Sequence, residues 1–422
     1  MLAQVPRENF LGTFLLYVIA FGCMAGTYLC WDREELMPFR QLLLLGLLLR
    51  VSVFFFVPQW SEDAARFLWD GELLRLGHNP YLLTPADWQE QGLGGTYGEE
   101  LFESMNSPDY YSVYPPLNQA FFWLGAQLAQ GNVLQGYLGL RFLLLLGEVG
   151  VLYLLVYLLA NFQLPQKQAL LYWFNPLVIL EVLGNLHFEG LVLLFLLAAV
   201  AAIVRHRFGW SGAFWALAVG MKLLPFLLAP AFFFWKGLRK PLRFWWLALG
   251  VLVLAFLPLL YFDAWKNFFQ SLQLYQGKFE FNASLYYLFR AVGYGLAGYN
   301  TIGYLTKVGM VITVLGVGWL SWKQSTSTAQ GIVGLWVQLY LLYFLLQPVV
   351  HPWYLLPGLG LSLLTRQWTF LLWSFGVIFS YQAYGQNPVQ EQALFLVLEY
   401  GLVLLGLYLD YFRKQRTATL VR

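Results

Sequence analysis

The chain has 422 residues, of which 59% are hydrophobic, 19% aromatic and 11% charged, with a net charge of +3. Soluble domains carry roughly a quarter charged residues, so this composition excludes a soluble globular enzyme and places the chain in a bilayer. The small net charge gives no footprint for nucleic acid, and the two cysteines, Cys23 and Cys30, sit about 10 Å apart on one apolar helix, too far to bridge.

Apolar runs lie at 9–30, 41–57, 136–160, 169–183, 190–204, 211–235, 244–262, 303–322, 331–347, 354–365, 368–384 and 393–411. The first has no small-residue cleavage site and reads as a retained span. The run 211–235 carries Lys222 and Pro225 at its centre. It reads as two half-helices, "SGAFWALAVGMK" and "LLPFLLAPAFFFW", which brings the total to about 11–13 membrane segments. The prediction is an all-α polytopic membrane protein, a single transmembrane domain over 1–422 without a repeat or a Gly/Ser linker.

Basic residues set the sidedness. The connections 31–40, Lys167, "RHR" at 205–207, "WKGLRKPLR" at 235–243, Lys323, Arg366 and the tail "RKQRTATLVR" hold 15 of the 25 Lys and Arg residues. One alternation of spans puts them all on one face, the expected cytoplasmic face. The C-terminus then lies in the cytoplasm. The opposite face receives a first outer loop at 58–131, "GNLHFEG" at 184–190, a second outer loop at 263–302, and the connections "QPVVHPWY" and "YGQNPVQEQ". The stretch 116–130 lies along that face, since 15 residues of helix reach only about 22 Å. A loop of some seventy residues exceeds ordinary connections and points to function.

Within the first outer loop, "SEDAARFLWDGELLRLGHNPY" predicts a helix from Ser61 to about Leu76. Ser61 serves as N-cap, acids follow it, and Gly77 and Pro80 end the helix. Asp63, Arg66 and Asp70 share a face, so Arg66 is placed to bridge both carboxylates. Acids at a membrane boundary are costly unless they meet water or a ligand.

These residues carry a resemblance. "SEDAARFLWDG", "GHNPY", "YSVYPPLNQ", "NPLVILEVLGNLHFEG", "MKLLP", "FEFNASLYYLFR" and "HPWYLLP", in that order over roughly 41–365, resemble the GT-C membrane glycosyltransferases. The set looks most like the bacterial polyprenyl-phosphate-mannose-dependent mannosyltransferases and, more distantly, the mannosyltransferase that begins GPI-anchor assembly. The span 9–30 looks additional to the shared core. Distant members have Asp-x-Asp where this chain has Glu62-Asp63, which leaves the division of labour between the two acids open.

The resemblance implies an inverting transfer of a sugar, mannose by analogy, from a polyprenyl-phosphate donor to a hydroxyl of a lipid, glycan or protein acceptor. The place is the outer face of a bacterial-type cytoplasmic membrane. A phosphate leaves without protonation, so one carboxylate base and a cationic clamp suffice, whereas glycosidases need two carboxyl groups. Asp63 is the expected base, with Glu62 as the fallback. Arg66 is expected to keep Asp63 ionised, and Asp70 to complete that bridge.

His187 and Glu189 stand where related enzymes keep donor- or acceptor-binding residues, with Glu181 and Asn185 beside them. Lys222, mid-span at a cost of about 2.5–3.5 kcal/mol, must face a partner, water or the lipid phosphate. Asn282 is a candidate for sugar hydroxyls and Arg290 for phosphate, through its planar donor fork. His351 is a candidate for either, and Tyr81, Tyr110, Tyr111 and Tyr114 for stacking on sugar rings. Each has an ordinary alternative as a cap, an interfacial anchor or part of an aromatic belt. Arg141 and Glu148, seven apart in one span, read as a buried structural pairing through neighbours. No HExxH motif or close His/Cys cluster occurs, so neither a metal nor a cofactor is expected. The alternative function is a transporter or flippase of lipid-linked sugars, which would place ionisable residues near the midplane and show repeats.

Overall fold

A computed structural model describes residues 2–31, 38–93, 98–129, 131–386 and 389–420. Arg33 in the basic connection, Asn387 and Pro388 in the last outer connection, and the tail side chains beyond Arg413 lie outside that description. Among the described residues no strand forms; Phe281 and Val349 make one isolated parallel bridge.

The chain is an all-α polytopic membrane protein. Among the described residues six helices are long and apolar enough to cross a bilayer: Phe10–Cys30, Val133–Asn161, Pro241–Leu260, Ile302–Lys323, Ala329–Leu346 and Ala393–Arg413. Most other apolar runs form shorter helices. Pro176–Gly184 and Glu189–Val204 meet at a bend of 112°. The run 211–235 divides as its Lys and Pro suggest. One helix spans Phe208–Met221, Lys222 is extended at φ −147° and ψ 142°, and helical turns resume at Leu224.

Close glycine contacts give the direction of these short pieces. Gly209 and Gly212 lie against Arg243 and Phe244, while Gly220 lies against Ala255. The helices Phe208–Met221 and Pro241–Phe256 therefore run parallel, and the chain between them must run back. Lys222 thus sits at the end of the bundle to which both helices climb.

The core is aromatic and aliphatic, with one buried ion pair inside it. Arg50 Nη2 contacts Glu148 Oε2 at 2.7 Å, both side chains being fully buried. Arg50 also donates to the Trp173 carbonyl at 2.7 Å, and Tyr172 donates to Glu148 at 2.7 Å. The partner of Glu148 is thus on another helix, not Arg141 on its own. Arg141 instead donates to the carbonyls of Leu183 at 2.7 Å, Gly184 at 3.1 Å and Phe54 at 2.6 Å. A guanidinium carries its donors in a fork, and with two of these bonds Arg141 ties down the turn that precedes His187.

The helix Pro116–Ala129 has 14 residues and packs between Asp63–Arg75 and Val133–Asn161. A Cβ on Gly71 would stand 2.2 Å from the Phe122 carbonyl oxygen. That glycine is what permits the two short helices to touch backbone to backbone.

Candidate active site

Asp63 opens the helix Asp63–Arg75, with Glu62 in the N-cap position. Ser61 acts one residue earlier than a regular cap would, its Oγ accepting from the Asp63 amide at 3.3 Å. At the other end Gly77 has φ +84°, and His78 donates to Leu73 and Gly77 to Leu74 at 2.8 and 3.1 Å. That pair of bonds is a Schellman ending, and the turn after it is held by Asn79 accepting from Tyr81 N at 3.0 Å.

The second element is the π turn Ile179–Gly184. Leu186 then reverses the chain at φ +66°, an uncommon angle for a non-glycine residue. The result folds His187 over Glu181: Nδ1 meets Glu181 Oε2 at 2.6 Å, and the His187 amide donates to the Glu181 carbonyl at 2.9 Å. Asn185 Nδ2 donates to the other Glu181 oxygen at 3.1 Å, and Tyr381 OH also donates there. The opposite ring nitrogen, Nε2, faces Asp63 Oδ2 at 3.7 Å and Ser61 Oγ at 3.3 Å. Carboxylate, imidazole and carboxylate thus stand in a row. His187 and Glu181 are fully buried, while the Asp63 side chain is 23% exposed.

Trp353, His351 and Lys222 complete the group. The His187 ring stacks on Trp353 with ring centres 3.8 Å apart, and the His351 ring stacks on the same indole at 4.4 Å. His351 Nδ1 lies 2.8 Å from Tyr384 OH. Lys222 Nζ contacts Glu189 Oε1 at 3.1 Å and lies 5.4 Å from the Tyr114 ring centre. Tyr114 is wedged edge-on against Phe67 and Phe122.

Electrostatics follow from this packing. Burial pushes the Asp63 carboxyl up, but the contact with His187 and the positive charges of His187 and Lys222 outweigh it, and its pKa falls below the usual value. Burial alone would discharge His187; the carboxylates of Asp63, Glu181 and Glu189 instead raise it to about 9. His351, buried and facing His187 and Lys222, drops to about 3 despite Asp63 and is neutral at physiological pH. The site therefore presents an ionised carboxylate beside an imidazolium and an ammonium.

The other sequence-derived candidates are distributed as follows. Arg66 pairs with Asp70 at 2.8 Å and donates to the carbonyls of Ser107 and Tyr110 at 3.1 and 2.9 Å. Among the described contacts it does not bridge to Asp63, because Asp63 turns toward His187. Asp70 also accepts from Ser112 at 2.6 Å and Gln119 at 2.7 Å and is fully buried, so it anchors the Ser107–Ser112 loop to the helix. Glu62 pairs with Arg7 at 2.8 Å. Asn282, at φ +49°, donates to Glu399 at 2.8 Å and to Val350 O at 3.3 Å, and its amide donates to Glu391 at 2.6 Å. It fastens the second loop beside the His351 connection. Arg290 pairs with Glu280 and lies over the Tyr287 ring at 4.4 Å. Tyr81 is buried and its hydroxyl donates to the Tyr114 carbonyl, so that ring is scaffold.

Glu181 and Trp353 emerge as members whose positions spacing does not announce. Six residues separate Glu181 from His187, which a regular helix would place on different faces; only the π turn and the reversal at Leu186 bring them together. Among the described residues no group of three or more His, Cys, Asp and Glu is placed to hold a metal ion.

Residues 2–237 match the family model described as alpha-(1->6)-mannopyranosyltransferase, N-terminal domain. Alpha-(1->6)-mannopyranosyltransferase A of Corynebacterium glutamicum is 25% identical over 194 residues, which is 44% of this chain and 37% of that protein. The match thus spans little more than a third of the length of that curated relative.

Proposed function

The chain belongs to the alpha-(1->6)-mannopyranosyltransferase family, and on that premise we propose that it transfers mannose from a polyprenyl-phosphate donor to a primary 6-hydroxyl of a glycan or glycolipid acceptor. The observation that carries the reading is the partly exposed Asp63 carboxylate, held ionised between His187 and Lys222. In this reaction an Asp63 oxygen takes the acceptor proton as the hydroxyl oxygen bonds to the anomeric carbon. The bond from that carbon to the phosphate oxygen breaks on the opposite face, which inverts the configuration. Polyprenyl phosphate leaves as an anion.

Lys222 is the proposed phosphate ligand. Glu189 takes only one of its three donors, and at the helix break its side chain is 22% exposed. His187, charged and locked by Glu181, adds a fixed positive charge beside Asp63. Neutral His351, which keeps partial exposure, is the candidate contact for a sugar hydroxyl. The cations of the chain take the part a metal would otherwise play. The transfer is proposed to occur at the outer face of a bacterial-type cytoplasmic membrane, with the C-terminus inside.

The test supplies purified protein in detergent with radiolabelled polyprenyl-phosphate mannose and a panel of acceptors bearing or lacking a free 6-hydroxyl. Labelled product is expected only with the free 6-hydroxyl. Asp63→Asn, checked for folding by its thermal transition, should lower turnover by about 10²–10⁴-fold. Full activity in folded Asp63→Asn ends the assignment of the base. Movement of the intact lipid-linked sugar across liposomes without product would favour a flippase.

A further inference from the structure

The segment Leu2–Asn9, which leads into the span Phe10–Cys30, folds against the candidate site, and nothing in the catalytic proposal uses it. The Val5 carbonyl accepts from Trp60 Nε1 at 2.7 Å, and Arg7 Nη1 meets Glu62 Oε1 at 2.8 Å. On its other side a Cβ on Gly385 would stand 2.7 Å from the Arg7 carbonyl oxygen, so the segment touches the end of the short helix Tyr381–Tyr384. Asn9 closes the segment by capping the span, its Oδ1 accepting from Gly12 N at 3.1 Å. Trp60 is buried and meets the Tyr381 ring edge-on at 5.0 Å, and Tyr381 donates to Glu181. The segment thus reaches the site by two routes. One runs through Glu62, next to Asp63, and the other through Trp60 and Tyr381 to the carboxylate that locks His187.

Glu62 and Asp63 are consecutive carboxylates, and two like charges so close oppose each other's ionisation. The structure gives them different partners. Asp63 turns to His187, and Glu62 turns to Arg7. The groups that act on Asp63 from the packed elements are His187, Lys222 and His351. The phenols of Tyr114, Tyr275, Tyr354 and Tyr384 also lie within reach of its charge and carry none at neutral pH. Glu181 is engaged by His187, Glu189 by Lys222, and Asp70 by Arg66. Glu62 is therefore the anion beside Asp63 in the chain, and Arg7 is the cation that offsets it. Glu8 lies 3.8 Å from Arg7 Nε, on the other edge of the guanidinium.

We propose that Arg7 is a positioning residue for the base: paired with Glu62, it cancels the charge beside Asp63 and leaves Asp63 as the acid of the two that meets the acceptor hydroxyl. The proposal rests on the mannosyl-transfer reading for the acceptor, whereas the cancellation of charge belongs to the protein before any reaction. The labour of the two acids divides accordingly: Glu62 fastens the segment, and Asp63 takes the proton.

The experiment compares the full chain in detergent with Arg7→Gln, Glu62→Gln, Arg7→Gln with Glu62→Gln, and Arg7→Lys, each checked for folding by its thermal transition. The charge of Asp63 is read without turnover by infrared titration, as the carboxyl band that disappears when Asp63→Asn is added to each chain. The value of kcat/KM for transfer is followed over the same pH range. Arg7→Gln leaves Glu62 unpaired, so the Asp63 titration and the acidic limb should both move up by about half a pH unit, the partial exposure of both side chains keeping the shift small. Glu62→Gln should move them down, the double variant should bring them back near the parent position, and Arg7→Lys should hold them there. A purely structural loss would lower kcat/KM without moving the titration and would not be repaired by the second substitution. An unmoved titration in folded Arg7→Gln, a double variant shifted as far as Arg7→Gln, or a loss of turnover in Glu62→Gln as deep as in Asp63→Asn overturns the proposal. If the infrared shifts appear and the parent transfers no mannose, the reading of the reaction fails and the cancellation of charge stands. Should Arg7→Gln not fold, the downward shift in Glu62→Gln and its absence in Arg7→Lys decide the matter.

Discussion

Asp63 and His187 hold opposite charges because each is the other's counter-ion, and this sets the pH behaviour. The folded pKa of Asp63 lies below its ordinary value, so its contribution is present at neutral pH and is lost only as pH falls through that depressed value. The folded pKa of His187 is raised to about 9, so its contribution is complete below its ordinary value of about 6.5 and is lost as pH rises through about 9. The profile of kcat/KM for transfer should therefore be flat through neutrality with an alkaline limb near pH 9. His187→Gln should remove that limb and move the acidic limb upward, since Asp63 loses its main stabilising partner. Glu181→Gln should leave the acidic limb nearly in place and shift the alkaline limb down. A pH–rate series on the three proteins checks both statements, and an alkaline limb that survives His187→Gln would refute the assignment. At this scale the sequence was legible where a charge stands against its apolar surroundings, as Asp63, His187, Glu189, Lys222 and His351 do. It was opaque where partner choice depends on packing. Arg66 is one turn from both Asp63 and Asp70, and spacing alone cannot tell which it takes; the Ser107 and Tyr110 carbonyls pull it toward Asp70.

Short helices, rather than full spans, position the candidate site residues. Asp63 begins one, His187 follows a π turn, and Lys222 occupies the gap between two. The break at Lys222 was readable because a cation and a proline interrupt an apolar run, and the end of the Asp63–Arg75 helix because glycine and proline follow it. The π turn was not, since nothing in "ILEVLG" departs from a helical pattern. Gly71→Ala should test the contact between the Asp63–Arg75 and Pro116–Ala129 helices. The added carbon meets backbone 2.2 Å away, which cannot rotate aside, so unfolding free energy should fall by about 1–3 kcal/mol. Thermal unfolding in detergent measures it, and a midpoint equal to the wild type would show that the two helices slide freely. For Lys222→Met, folding should persist, because the residue lies at a helix break beside solvent. Donor KM should rise more than kcat falls, if the ammonium binds phosphate in the ground state. Steady-state kinetics at varied donor concentration separate the two.

The whole molecule is a helical bundle with the candidate site toward one end and the ion pair of Arg50 and Glu148 buried in its core. Removing one member of that pair leaves a lone charge in an apolar core, so Glu148→Leu should cost about 3–5 kcal/mol, whereas Arg50→Met with Glu148→Leu should recover most of it. Comparing the single and double variants by thermal unfolding checks this, and equal losses in both would contradict it. The proposed sidedness is open to labelling: with Cys23 and Cys30 replaced by serine, Gln59→Cys should react with an impermeant maleimide on intact cells and Arg239→Cys only after lysis. The ring stack of His187, Trp353 and His351 carries one more consequence. Asp63, His187 and Lys222 all fall within residues 2–237, while Trp353, His351 and Tyr384 come from the part that follows. During biosynthesis the early spans would enter the bilayer long before the indole arrives to close the catalytic end. The nascent enzyme would stay inert until its late spans are inserted. A chain severed in the exposed turn at Gly298–Asn300 should likewise be silent as either fragment and regain turnover when both are made in the same cell.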